Sequence, residues 1–153
     1  MANKQSTRAG TIREFEIFQA KDGGESIDAS PGITDIKYYE NILSPSVNLT
    51  AIVTETGESD KKSFGNKGML DGLPIRGGNA SHIIIEDHEG NKLKFKSDNQ
   101  LYVNRVRNVI AGTQKDVYAL DFTSRERLAN EQCRVVKRYD GKIPENIKKI
   151  LTE

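Results

Sequence analysis

The clearest alternation of apolar and polar residues, SVNLTAIVTET between residues 46 and 56, limits the possible folds of this chain more than any other segment. Val47, Leu49, Ala51 and Val53 occupy every second position, and polar residues fill most of the positions between them. Successive side chains of a β-strand point to opposite faces, so this period of two predicts a strand with one buried and one wetted face. The chain therefore needs a β-sheet with a core on one side.

Comparable strand signals recur through most of the chain. They fall at residues 11–20, 33–40, 81–96, 101–110 and 115–122. β-Branched and aromatic residues are frequent in these segments, and residues that favour turns separate them. The segment 81–96 is expected to turn back on itself at residues 88–91. Short connections join antiparallel strands, so the middle of the chain is predicted to be an antiparallel meander.

The pattern changes to helical spacing after the last of these strands. Thr123 with Glu126 three residues later has the form of a capping box, which marks the start of a helix. A helix is therefore predicted from Arg125 to about Cys133, with Leu128 directed toward the core.

A second helix is predicted at the end of the sequence, after a short strand at 134–139. Ile143, Ile147, Ile150 and Leu151 recur at helical spacing and form one apolar stripe. Together with the strands, these helices indicate a mainly β (α+β) fold. We expect an antiparallel β-barrel or sandwich with one or two flanking helices.

The domain organisation follows from length and local composition. A chain of 153 residues fits one domain with a continuous core. Residues 1–10 carry no periodic apolar signal and are predicted to be a flexible arm, which leaves 11–153 as the single domain. Residues 57–68 are rich in Gly and charge, so they are predicted to be a long exposed loop or hairpin tip.

Charge and hydropathy exclude some functions and disfavour others. There are 23 Lys and Arg against 22 Asp and Glu, so the net charge of +1 gives no general attraction to nucleic acid or anionic membranes. Apolar runs are far shorter than the roughly 20 residues that span a bilayer, so no membrane span is expected. The single Cys133 cannot form an internal disulfide, and the polar start lacks the apolar core of a signal peptide. Synthesis in a reducing cytoplasm is expected.

The inventory of catalytic or metal-binding residues is small. His82 and His88 fall at a strand start and in a turn, which makes a metal site shared by them improbable. Cys133 reads as a small packing residue, and the acidic residues near the 88–91 turn read as a solvated hairpin end. No Gly-rich segment matches a phosphate-binding loop. We therefore expect no enzyme activity, no cofactor and no metal.

Basic residues in the C-terminal half support a second hypothesis, a small β-barrel that binds nucleic acid. They are interleaved with Tyr102, Tyr118 and Tyr139, and such tyrosines can stack on bases. Acidic residues are interspersed among them, so ion pairs are the favoured interpretation. The basic residues are Arg105, Arg107, Arg125, Arg127, Arg134, Lys137 and Arg138, and the acidic ones are Asp116, Asp121, Glu126, Glu131 and Asp140.

Several literal strings carry a family resemblance. They are YYENILSPSV at 38–47, LDGLPIRGG at 70–78, LYVNRV at 101–106, GTQKDVYALDF at 112–122 and NEQCRVVKRYDGKI at 130–143. Over roughly residues 25–153 the chain resembles the N-terminal tube-like domain of baseplate hub proteins of myophages, the bacteriophages with contractile tails. The order of the C-terminal strings is the most specific part of the likeness.

The resemblance implies a β-barrel of the phage tail-tube type in a virion protein, made in the host cytoplasm and built into the tail baseplate. It implies a structural role in a ring that extends the tail tube and holds the central spike, with DNA only as passing cargo in the lumen. Hub proteins of this kind have two such domains per subunit, whereas this sequence has the length for one. A homo-oligomeric ring is expected, with trimer and hexamer both open.

The loop at 57–68 is the candidate contact to the adjoining ring or spike. Asp60, Lys61, Lys62 and Phe64 supply charge and one apolar anchor there. A loop that is merely disordered fits the same composition.

Overall fold

The computed structural model describes residues 10–19, 25–56, 75–112, 115–132 and 138–152. These residues form a mainly β structure with two short 3-10 turns and two α-helices. The strands are β1 (Thr11–Phe18), β2 (Ser26–Asp28), β3 (Ile33–Tyr39), β4 (Asn48–Thr56), β5 (Ala80–Glu86), β6 (Lys92–Phe95), β7 (Leu101–Ala111) and β8 (Lys115–Thr123). The helices are α1 (Arg125–Gln132) and α2 (Ile143–Thr152).

All eight described strands belong to one antiparallel sheet. Its order is β2-β1-β5-β7-β8-β4-β3, and β6 pairs with β5 beside the β7 contact. The two outermost strands, β2 and β3, are joined through residues 29–32 alone, so the sheet must curl until its ends approach one another. The predicted mainly β fold with an antiparallel sheet and two helices is confirmed, but no pairing among the described strands closes the sheet into a barrel.

The core lies on the inner face of this curled sheet. The alternating residues of β4 behave as predicted, because Leu49, Ala51 and Val53 are fully buried and Val47 packs against them at the margin. Phe15 of β1 and Phe122 of β8 meet edge to face with ring centroids 5.3 Å apart. Such aromatic pairs contribute beyond their buried area.

The predicted strands at 11–20, 33–40, 46–56, 81–96, 101–110 and 115–122 are confirmed within a few residues. The three-residue strand β2 was not predicted, since a segment so short shows no readable alternation. Most of the predicted strand at 134–139 lies outside the described residues. Its described end, residues 138 and 139, is not in a strand.

The helix at 125–132 is confirmed, but two details of the prediction were wrong. Thr123 is the last residue of β8, and its Oγ1 donates a hydrogen bond to the Val47 carbonyl at 3.3 Å instead of capping the helix. Ser124 is the residue that hydrogen-bonds Glu126. Leu128 is half-buried and does not belong to the core, and no residue of α1 is buried.

Candidate interaction surfaces

The loop residues proposed for partner contact, Asp60, Lys61, Lys62 and Phe64, lie outside the described part of the chain. Cys133 lies outside it as well. The surfaces below are built from described residues alone.

A polar cluster covers the outer face of the three central strands. Asp121 of β8 has Thr50 directly opposite on β4 and Arg105 directly opposite on β7. Its carboxylate accepts hydrogen bonds from Thr50 Oγ1 at 2.8 Å and from Arg105 Nε at 2.7 Å. Arg107 donates two more, at 2.7 and 3.1 Å. The strand register therefore places four donated hydrogen bonds on one nearly buried carboxylate.

The electrostatics of this cluster keep the Asp121 carboxyl group ionised. They also leave the cluster with a net positive charge. Burial alone raises the pKa of Asp121, but the hydrogen bonds from Arg107, Arg105 and Thr50 outweigh it and lower the pKa to about 2. Two guanidinium groups then face one carboxylate, and the Arg105 side chain remains 67% exposed. A shallow depression of about 270 Å³ beside the cluster also includes Arg127. The arrangement can accept an anion or an acidic side chain.

Of the three tyrosines predicted as base-stacking partners, Tyr118 is not available at this surface. Tyr118 is buried in the core at 1% exposure and its hydroxyl donates a hydrogen bond to Glu55. The Tyr102 hydroxyl accepts a hydrogen bond from Gln100 Nε2 at 2.8 Å.

The predicted use of the basic residues in ion pairs is confirmed, within this chain, for four of them. Arg105 and Arg107 pair with Asp121, Arg127 pairs with Glu131 at 3.3 Å, and Arg138 pairs with Asp140 at 2.9 Å. Arg134 and Lys137 lie outside the described residues.

A groove of about 920 Å³ lies beside the connection between β3 and β4. One wall is a tight turn in which Asn41 Oδ1 accepts a hydrogen bond from the Leu43 amide at 2.9 Å. This turn presents Ile42 to solvent at 99% exposure and Leu43 at 89%. Leu93 and Phe95 of β6 contribute apolar lining to the same groove. Exposed aliphatic groups beside a groove are typical of an interaction site.

The edges of the sheet are a further candidate surface. Among the described strands, β3 pairs with β4 alone, so its other edge has no strand partner. The first residues of β7 pair with β5 and with residues 78–79. From Asn104 to Ala111, the described residues pair β7 with β8 alone. Val109 and Ile110 near the tip of this extension are 55% and 66% exposed. Unpaired strand edges are templates for pairing with another chain.

Three potential metal ligands meet on the outer face of β1 and β5. Glu16 lies directly opposite His82, and Glu14 is two residues along the same face. Their ligand atoms lie within 4.8 Å of one another. Lys96 Nζ already contacts Glu14 Oε1 at 2.5 Å and competes with any cation for that carboxylate. Sequence reasoning missed this trio because strand pairing, not sequence spacing, brings it together.

His88 does not join this group. It follows β5 in the turn before β6, six residues beyond His82, which corresponds to about 20 Å along an extended strand.

No protein-family model, curated protein or solved structure matches this chain significantly. Neither described helix has the length and apolar character needed to cross a bilayer.

Proposed function

We propose that this chain is a structural, non-enzymatic component of a contractile phage tail, a tube-type domain of the baseplate hub. The observation that carries the proposal is the open, curled antiparallel sheet, in which β3 and the extended half of β7 each have an edge with no partner among the described strands. The family resemblance of residues 25–153 supplies the biological setting. In this proposal the ring extends the tail tube, contacts the central spike and encloses DNA only as passing cargo.

Edge pairing gives a physical mechanism for ring formation. When an edge strand of one copy pairs with an edge strand of the next, backbone hydrogen bonds supply association and the side chains set the register. The contact is head to tail, so repeated copies form a closed ring if the rotation between them closes. Three or six copies are the proposed numbers. The barrel is then completed around the lumen by neighbouring copies.

The loop at 57–68 has a separate place in this proposal, as the contact to the adjoining ring or spike through Asp60, Lys61, Lys62 and Phe64. Deletion of this loop is expected to leave ring formation intact and to weaken docking to the neighbouring component. Unchanged docking after deletion would remove the loop from the proposal.

Hydrogen exchange tests the edge-pairing mechanism without any mutation. Amides of β3, residues 33–39, are expected to gain at least about tenfold protection as the protein concentration rises, because edge hydrogen bonds form on assembly. Amides of the central strand β8, residues 117–122, are paired on both sides already and serve as the internal control. Protection of β3 that does not depend on concentration contradicts edge pairing.

The second candidate function is nucleic-acid binding, favoured by the exposed guanidinium groups of Arg105 and Arg107. Phosphate contacts release counterions, so this function requires retention on immobilised single-stranded DNA that falls steeply with salt. Substitution of both arginines by glutamine should then abolish retention. Weak retention that is independent of salt removes this candidate.

A further inference from the structure

The outer face of β1 concentrates carboxylate groups. Phe15 and Ile17 of this strand are fully buried, so Glu14 and Glu16, which alternate with them, lie on the opposite face. Strand pairing places Asp28 of β2 directly opposite Glu16, and Asp28 is exposed. Like charges directly opposite one another on paired strands are destabilising. This part of the sheet therefore favours a bound cation.

One ammonium group of the chain contacts these carboxylates. Lys96 Nζ lies 2.5 Å from Glu14 Oε1. The Asp28 carboxylate accepts a hydrogen bond from the Ser30 amide at 2.9 Å, which is a neutral partner. Among the described residues, neither Glu16 nor Asp28 has an ion-pair partner. The negative charge around Glu16 is therefore only partly offset within the described residues.

His82 of β5 adds a nitrogen ligand to the same place. The strand register puts it directly opposite Glu16. The ligand atoms of Glu14, Glu16 and His82 lie within 4.8 Å of one another, and all three residues are half-buried. Phe18 packs edge to face against the His82 ring, with the ring centroids 4.5 Å apart. Paired strands hold these side chains more precisely than a loop would.

The spacing and the chemistry of these ligands fit zinc. Atoms bound to one tetrahedral zinc ion lie about 3.4 Å apart, because each bond to nitrogen or oxygen is about 2.1 Å long. The observed spacing of up to 4.8 Å must then close by at most about 1.4 Å, which rotation of the glutamate side chains can supply. Imidazole nitrogen favours zinc and its first-row neighbours, whereas calcium and magnesium favour oxygen ligands.

We propose that Glu14, Glu16 and His82 form a binding site for a divalent transition-metal ion of the zinc type. Two carboxylates and one imidazole occupy three tetrahedral positions, and water takes the fourth. The ion displaces the Lys96 ammonium from Glu14 and offsets the repulsion between Glu16 and Asp28. It joins β1 to β5 within one copy, so the proposal does not depend on ring assembly.

Titration calorimetry tests the site on the full chain, after removal of metal with a chelator and with zinc chloride as the titrant. The original chain should bind one zinc ion per copy, and magnesium chloride should bind more weakly. Glu16→Gln and His82→Ala should each weaken zinc binding at least about tenfold, because loss of a direct ligand should cost at least as much as loss of an outer-shell partner.

The other histidine of the chain gives the matched control. His88 lies in the β5–β6 turn, so His88→Ala should bind zinc like the original chain. The sequence-based expectation of no metal considered only a site shared by His82 and His88, whereas strand pairing gives His82 different partners. Zinc binding that is lost in His88→Ala, or that survives unchanged in Glu16→Gln and His82→Ala, overturns the proposal.

Lys96→Gln provides a test in the opposite direction. Its ammonium group competes for Glu14, so its removal should strengthen zinc binding at least about threefold, the order of an exposed ion pair. A misfolded variant would not gain affinity, so this result cannot arise from a loss of structure. Unchanged affinity would show that zinc does not use Glu14 and would overturn the three-ligand site. A dissociation constant above about 1 mM for the original chain would also overturn it.

Discussion

Phe122 in β8 and Ile147 in α2 are both large apolar residues in regular secondary structure, yet Phe122 is 1% exposed and Ile147 is 49% exposed. The difference extends to their whole regions. The inner faces of the strands bury almost every large apolar side chain, whereas α1 has no buried residue and the isoleucines of α2 face solvent. The sheet therefore contains its own stabilising core, and the helices lack one.

This comparison separates the residues that stabilise the fold from those that do not. Burial of apolar area stabilises the sheet within one copy, so the sheet is expected to fold independently. Ile143, Ile147 and Ile150 of α2 are between 49% and 74% exposed and do not belong to the core, so they are expected to contribute little to its stability. Substitutions in the sheet should consequently change the free energy of unfolding, whereas substitutions in α2 should change it little.

Phe122→Ala should have the largest effect on the free energy of unfolding. It removes a fully buried ring and its edge-to-face contact with Phe15, which costs about 3–5 kcal/mol. Urea unfolding followed by tyrosine fluorescence measures the loss, since the chain contains no Trp and 5 Tyr. A loss below about 1 kcal/mol would mean that the inner face is not the stabilising core.

Asp121 should make the sheet sensitive to acid. Its pKa in the folded chain is about 2, below the ordinary value of 3.8, so its contribution to stability is complete above about pH 4. That contribution, about 1–2 kcal/mol, is lost as the pH falls from about 4 to about 2. Asp121→Asn should remove it, and the unfolding free energy of this variant should depend less steeply on pH in that range.

The same measurement has a control outside the sheet, in the segment before α2. Asp140 pairs with Arg138 at an exposed site, and an exposed pair of this kind contributes little. Asp140→Asn should leave the acid dependence of unfolding unchanged. If Asp121→Asn and Asp140→Asn changed the pH dependence of unfolding equally, the claim that Asp121 dominates the acid sensitivity of the sheet would be contradicted.

The same Gly→Ala substitution at two positions, one in the sheet and one before α2, compares the two regions. Gly90 in the β5–β6 turn has φ +87° and Gly141 before α2 has φ +106°, and an alanine is strained at either position. Gly90→Ala should lower the global free energy of unfolding by about 1 kcal/mol. Gly141→Ala should increase amide exchange in α2 and leave global unfolding unchanged. A global effect at Gly141 would show that α2 folds cooperatively with the sheet.

Ile147→Ala should have the smallest effect on stability. The side chain lies outside the core, so the free energy of unfolding of the monomer should change by less than about 0.5 kcal/mol. Urea unfolding at low protein concentration is the measurement. If Ile147→Ala lowered the free energy of unfolding as much as Phe122→Ala, α2 would belong to the stabilising core and the two regions would not differ.

The individual strands and helices could be predicted from the sequence, but the way in which the strands pair could not. Alternation in 46–56 identified the buried face of β4 because side-chain period is a local property. The neighbours of that strand could not be predicted, since the pairing of β4 with β8 joins residues about 70 positions apart. In the sequence, Asp121 is therefore one acidic residue among several. Strand pairing is what places it at the centre of a polar cluster.

The candidate surfaces were less accessible to sequence reasoning for the same physical reason. Glu16 and His82 become neighbours through strand pairing. The groove needs the 41–46 turn and β6 side by side, and although β6 shows strand alternation, neither segment indicates that the two meet. The stripe of α2 was predicted from its spacing, but helical spacing cannot say whether a stripe meets the chain's own core or another molecule.

Mass in solution tests the central claim most directly. Light scattering across a concentration series, with negative-stain images of any large species, should give a closed ring of three or six copies of the 17.1 kDa chain. A strict monomer at every concentration, with no rings in the images, would contradict the account of this chain as a self-assembling ring component.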